Sequence, residues 1–380
     1  MSGGIKLPFK LLGIPVRLDY SFLLILPLFA YLIGSQLPAF VAQLRTLGLD
    51  IPAGELESGA TPWLLGIIAA LGLFTSVVIH ELGHAVTARL YGVRTNEIRL
   101  WFLGGVAQVQ EMPSRRGAEA VIAVAGPVTS GLLALLLWIA VPLTASATGA
   151  KVVVAYLAIT NVVLAVFNLL PALPLDGGRV VRSLLALFLP YLRATNIAVA
   201  LSAGIAIAMG VYGFFNGQLF LVIMAFFVYN AGRAEAQAAF LKDALDGLTA
   251  RDIMTPEPLT VEPDMPLSQF ARLVEFRRHV GYPVVDPDDR LLGVALLHDV
   301  AGTGSDQETI ADIIKPAETV GPEVTATDAI HRLSGGEIGR LVVVDGAHKV
   351  LGVISKTDVV RFLSARSQQQ QQQQSGRRRP

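Results

Sequence analysis

The sequence predicts a polytopic α-helical membrane protein, with six transmembrane helices and a small β-hairpin, joined to a cytoplasmic α/β domain. Three observations predict it. Hydrophobic residues make up 53% of the 380, above the apolar share usual in soluble chains. Charge is unevenly placed, so that the first 240 residues are apolar and the last third is ordinary and soluble-looking. That last third also repeats itself with a period of roughly sixty residues, too long for a solenoid unit.

A bilayer is crossed by about 20 apolar residues in a helix. Segments of that kind are Ser21–Phe40, Trp63–Leu90, Ala120–Leu143, Val152–Leu170, Asn196–Phe214 and Leu219–Ala239. The first is too long for the apolar stretch of a signal peptide and lacks a small-residue cleavage site, so it reads as a retained anchor. Arg94, Arg99, Arg115 and Arg116 follow the second segment, and Arg179, Arg182 and Arg193 follow the fourth. Asp50, Glu55 and Glu57 outnumber Arg45 after the first. Basic loops favour the cytoplasmic side. A multi-pass protein of the cell membrane, with both termini cytoplasmic, is expected.

Between the second and third segments, Glu97–Leu100 and Val106–Gln110 alternate apolar and polar residues around Gly104-Gly105, the pattern of a hairpin. A composition shift near Leu241 opens the second domain. Arg251–Pro256 corresponds to Ala311–Pro316, Tyr282–Asp286 to Leu341–Asp345, and Leu292–Asp299 to Leu351–Asp358. The expected organisation is a membrane domain at 1–240, a linker at 241–247, modules at 248–308 and 309–363, and a disordered Gln-rich tail at 364–380.

The chemistry is concentrated in His80-Glu81-Leu82-Gly83-His84, which closes an uncharged run from Trp63 to Ile79. Ionisable groups at that depth need a compensating role. Residues four apart share a helix face, so both imidazoles are placed to grip one metal ion with Glu81 beside it. Catalytic zinc takes three protein ligands. Asp176 is the best candidate for the third, because Pro171, Pro174 and Gly177-Gly178 break the helix around it; from spacing alone it reads equally well as a turn residue. No Cys is present, which excludes thiolate ligands, Cys nucleophiles and disulfides. Lys+Arg and Asp+Glu number 30 each, so no charge argues for a nucleic-acid partner.

His80–His84, Phe102–Ala107, Ala125-Gly126-Pro127 and Asn168…Leu175-Asp176-Gly177 occur in that order. Together they resemble the site-2 protease family of intramembrane zinc metalloproteases, over roughly residues 10 to 240. The resemblance implies one zinc ion per chain held by His80, His84 and Asp176. It implies Glu81 as general base and Asn168 as a group that holds the substrate or stabilises the oxyanion. Membrane-anchored protein substrates would pair along the hairpin at Gly104, Gly105, Val106 and Ala107.

Residues 248 to 363 resemble a tandem pair of cystathionine-β-synthase (CBS) modules. That implies binding of ATP, ADP or AMP through Ser355, Thr357 and Asp358, with Asp299 in the first module, and homodimerisation through the pair. Leu296 stands where the first module would carry a hydroxyl, which departs from the pattern. Arg278, His279 and Arg340 face either phosphates or solvent. The rival readings are a transporter or channel gated by the paired modules, and a catalytically inactive scaffold.

Overall fold

The computed structural model describes all residues except 1–3, 53, 55, 57, 102–103, 110–116, 145–146, 278–280, 297–307, 337–338 and 377–380. It forms two compact units, Met1–Ala239 and Phe240–Pro380.

The first unit opens with strands β1 (Ile5–Leu11) and β2 (Ile14–Leu18), joined at Leu12 and Gly13, both of positive φ. Helix α1 (Tyr20–Thr46) starts at Asp19, whose carboxylate accepts from the Ser21 amide at 3.0 Å. Helix α2 (Thr61–Leu90) carries Pro62 in its first turn, where no amide is needed. Strands β3 (Thr95–Trp101) and β4 (Gly104–Val109) follow. The remaining helices are α3 (Ala118–Ala140), α4 (Thr148–Asn168), α5 (Asp176–Leu185), α6 (Tyr191–Phe215) and α7 (Leu219–Leu245). Among the described residues, six helices are long and apolar enough to cross a membrane. They are α1, α2, α3 with its 3-10 extension to Thr144, α4, α6 and α7, and they fall on the six apolar segments of the sequence. The short α5 lies between two of them.

The expected hairpin is half of a four-stranded sheet, ordered β1-β2-β3-β4. β2 runs parallel to β3, pairing Val16 with Ile98 and Leu18 with Leu100, while β3 and β4 are antiparallel. Ile14, Val16 and Ile98 pack against Ala85 of α2, and Leu100 joins Phe22, Phe74 and Val78. Phe22 and Phe74 meet edge to face at 4.5 Å. These clusters flank residues 80 to 84 and fix the sheet against that part of α2. Among the described residues, β4 is an edge strand of this sheet.

The second unit repeats its own devices. Helix α8 (Ala250–Ile253) begins with a capping box between Thr249 and Asp252, and the short 3-10 turn Ile310–Asp312 begins with the same box between Thr309 and Asp312. Strands β6 (Gly281–Val285) and β7 (Leu291–Leu296) form one hairpin. β5 (Thr255–Pro256), β8 (Thr319–Val320), β9 (Arg340–Val344) and β10 (Val350–Ser355) form a second sheet, ordered β5-β10-β9-β8. Both hairpins turn alike. Asp286 Oδ1 accepts from the amides of Asp288 and Arg290, and Asp345 Oδ1 accepts from those of Ala347 and Lys349. Helices α9 (Leu267–Arg277) and α10 (Ala326–Gly335) accompany them. The last helix, α11 (Lys356–Gly376), runs past Ser364, where the sequence puts the start of a disordered tail. Gln is a fair helix former, and extending an existing helix costs far less than nucleating one.

Candidate metal centre

The ring Nε2 atoms of His80 and His84 and the Asp176 Oδ2 atom form a triangle with every side 3.2 Å. Helix geometry supplies two corners, since positions 80 and 84 stack on one face of α2. The third comes from the first residue of α5, ninety-six positions after His80. Ligand bonds of about 2.0–2.1 Å in a tetrahedron give edges of about 3.3 Å, so the donor set has the size that zinc requires.

The other ring nitrogens are occupied. His84 Nδ1 lies 2.8 Å from the Ile122 carbonyl, which only accepts, so the proton sits there and leaves Nε2 with a lone pair. His80 Nδ1 is 2.9 Å from Ser130 Oγ. Two imidazole lone pairs and a carboxylate facing one another at 3.2 Å repel unless a cation lies between them. When the Nε2 atoms carry protons, they donate to Asp176. Burial raises the Asp176 pKa, but the bonds from His80 and His84 dominate and hold it at about 2. Protons and a metal ion therefore compete for the same atoms.

Two glycines make the site possible by what they lack. A Cβ on Gly126 of α3 would lie 2.2 Å from His84 Nε2 and 2.7 Å from His80 Nε2. A Cβ on Gly105 of β4 would lie 2.5 Å from Glu81 Cγ. The α3 backbone thus closes over the Nε2 atoms, and the hairpin closes over the carboxylate between them.

A cavity of about 560 Å³ is lined by His80, Glu81, His84, Gly105, Asn168 and Asp176, with Phe227, Ala231 and Ala234 of α7 among its walls. Asn168 Nδ2 donates to the Leu164 carbonyl within its own helix at 2.9 Å. Gly104 begins β4; the side chains of Val106 and Ala107, in the same strand, lie outside the described residues.

Several supporting groups have no local signature in the sequence. Ser130 and Ile122 orient the imidazoles, and no local pattern announces them. Buried Arg182 bonds the carboxylate of Glu119 and reaches Glu235 at 2.7 Å, joining α5 to α3 and α7, with its guanidinium 5.3 Å from the Tyr191 ring centroid. Burial lowers the Arg182 pKa, but the Glu119 and Glu235 carboxylates outweigh it and raise the value. Removing one partner from such a buried pair costs about 3–5 kcal/mol.

In the second unit, Ser355 and Asp358 meet in a capping box at the start of α11. Asp358 Oδ2 accepts from the Ser355 amide at 3.0 Å and hydroxyl at 2.5 Å, while Oδ1 accepts from Thr255 at 2.9 Å. Thr357 is exposed. Arg340 Nη1 donates to the Gly281 carbonyl at 2.9 Å. Asp299, Arg278 and His279 lie outside the described residues.

The sequence profile of peptidase family M50 matches residues 68–147 and 143–211, and that of the CBS domain matches 250–304 and 310–365. A zinc metalloprotease of Methanocaldococcus jannaschii is 30% identical over 366 residues, 96% of this chain and 97% of its own length. Rip3 of Mycobacterium tuberculosis is 32% identical over 373 residues, 93% of this chain and 91% of its own. The solved site-2 protease from Methanocaldococcus jannaschii aligns with a TM-score of 0.43 at 30% identity, covering 61% of this chain and 95% of that one.

Proposed function

The chain belongs to peptidase family M50, the site-2 proteases, and carries a tandem CBS pair; from that premise we propose that it is a zinc-dependent intramembrane endopeptidase acting on membrane-anchored proteins. His80, His84 and Asp176 hold one zinc ion per chain. The observation that carries this reading is the 3.2 Å triangle of donor atoms beside Glu81 on a membrane-spanning helix.

Zinc, when bound, supplies Lewis acidity that polarises a carbonyl and makes water acidic near neutral pH. Glu81 takes the proton from the attacking water and delivers it to the leaving amine. Asn168 retains a second amide N–H beyond the one given to Leu164, available to a substrate oxygen. His80, Glu81 and Asp176 are buried, which strengthens each of these interactions. A chelator is expected to abolish cleavage of a model transmembrane substrate, and added zinc to restore it. Activity that survives complete removal of metal would contradict the reading.

A helical substrate hides its carbonyls and must become extended to be cut. The edge of β4 offers main-chain partners for such a stretch. Amides alternate in direction along a strand, so one of Val106 and Ala107 points its N–H away from β3. Proline at that position is expected to lower kcat/KM at least tenfold with zinc retained, while proline at its neighbour also breaks a ladder bond and destabilises the sheet. Normal turnover by both folded variants would make the hairpin purely structural.

The CBS pair binds an adenine nucleotide at one dominant site through Ser355, Thr357 and Asp358, and associates into a homodimer, with both termini in the cytoplasm. Calorimetry on the full chain should find Asp358→Ala weakening ATP, ADP or AMP at least tenfold and Asp299→Ala less than threefold. Asp358 also caps α11, so thermal unfolding must accompany the titration. No heat with any of the three at millimolar concentration leaves dimerisation as the role of this unit.

A further inference from the structure

We propose that Arg179 donates hydrogen bonds to the substrate carbonyl under attack, and so acts as a catalytic residue alongside Glu81. Arg179 follows Asp176 by three residues on α5, which puts both on one face of that helix. It lines the cavity shared with His80, Glu81 and His84. Its Nε is buried with no hydrogen-bond partner, and its guanidinium makes no ion pair among the described residues. Arg182, three residues further on, is the opposite case, satisfied by Glu119 and Glu235. Of the four carboxylates that line the same cavity, Glu119 and Glu235 are thus engaged by Arg182, and Asp176 meets the two imidazoles.

A buried N–H without an acceptor is costly, and a guanidinium stays charged at any working pH. Within this cavity the missing acceptor is an oxygen that arrives with the substrate. An extended stretch of substrate brings unpaired carbonyls, and the one being attacked gains negative charge as the reaction proceeds. A charged donor stabilises that oxygen more strongly than a neutral amide does, and Asn168 has already spent one N–H on its own helix.

This inference rests on the protease reading, and the test separates the two. Wild type, Glu81→Gln, Arg179→Ala and Arg179→Gln are purified and compared for zinc content, kcat and KM on one model transmembrane substrate. If wild type holds zinc and cleaves while Glu81→Gln does not cleave, the reading stands and the Arg179 variants are decisive. Either should then lower kcat by about 100-fold or more, the scale of a lost oxyanion donor, with KM within threefold and zinc unchanged. Guanidinium ion at millimolar concentration should restore at least tenfold to Arg179→Ala and nothing to wild type. A kcat within threefold of wild type, a loss confined to KM, a loss of zinc, or no rescue would overturn the assignment.

Discussion

Glu81→Gln is expected to stop cleavage while leaving the metal in place. The substitution keeps the size and the hydrogen-bonding reach of the side chain and removes only its capacity to take a proton. General-base catalysis of this kind is worth about 10²–10⁴-fold. A drop of that size in kcat, with zinc content and unfolding temperature equal to wild type, is the expected outcome. Glu81 is buried beside the two imidazoles, and Gly105 lies so close that β4 admits no Cβ there, so solvent cannot easily take over the role. Full activity in the Gln variant would remove Glu81 from the chemistry.

Gly126→Ala should be nearly as damaging, although Gly126 offers no ligand atom. Alanine favours a helix by about 1 kcal/mol over glycine, so propensity alone predicts a neutral or stabilised protein. Against this, the new methyl would occupy space 2.2 Å from His84 Nε2 and 2.5 Å from its Cε1. Either α3 withdraws from α2, at an overpacking cost of about 1–3 kcal/mol, or the imidazoles turn away from Asp176. Both outcomes spoil the triangle. We expect zinc affinity and kcat/KM to fall by about 100-fold or more, with the fold retained by circular dichroism. A zinc-replete, fully active Gly126→Ala protein would mean that the two helices stand farther apart than the structure has them.

What the sequence disclosed follows from the range of each interaction. The apolar runs and the His80–His84 spacing are local, because three to four residues of helix suffice to define a face. The sixty-residue repeat is also readable, since paired modules reuse the same Thr…Asp boxes and Asp turns, at Thr249 and Thr309 and at Asp286 and Asp345. Asp176 was undecidable from spacing, because its meeting with His80 depends on how α3, α4 and the loop before α5 are packed. Ser130 and Ile122 were invisible for the same reason. Strands β1 and β2 were missed because Ile5–Leu18 mixes apolar residues with Lys6, Lys10 and Arg17 next to a long apolar helix, which hides a short period-two pattern. Arg182, Glu119 and Glu235 come from three separate helices, and each alone reads as an ordinary charge near a membrane boundary.

Ser355 and Asp358 illustrate the reverse problem. The Ser-x-x-Asp spacing that resembles a nucleotide site is also a helix cap, and the structure engages both carboxylate oxygens locally. Thr255 lies at the start of the first module, so its hydrogen bond to Asp358 ties the two modules together.

The proposed chemistry depends on His80, His84 and Asp176 forming one metal site. Its most direct test is zinc stoichiometry combined with X-ray absorption at the zinc edge, on purified wild type and Asp176→Ala. Wild type should hold about one zinc per chain in a nitrogen and oxygen shell containing two imidazoles, with no sulfur because the chain has no Cys, and Asp176→Ala should lose most of it. Wild-type protein that cleaves substrate without zinc, or an Asp176→Ala protein with the same zinc content and the same coordination shell, would contradict it.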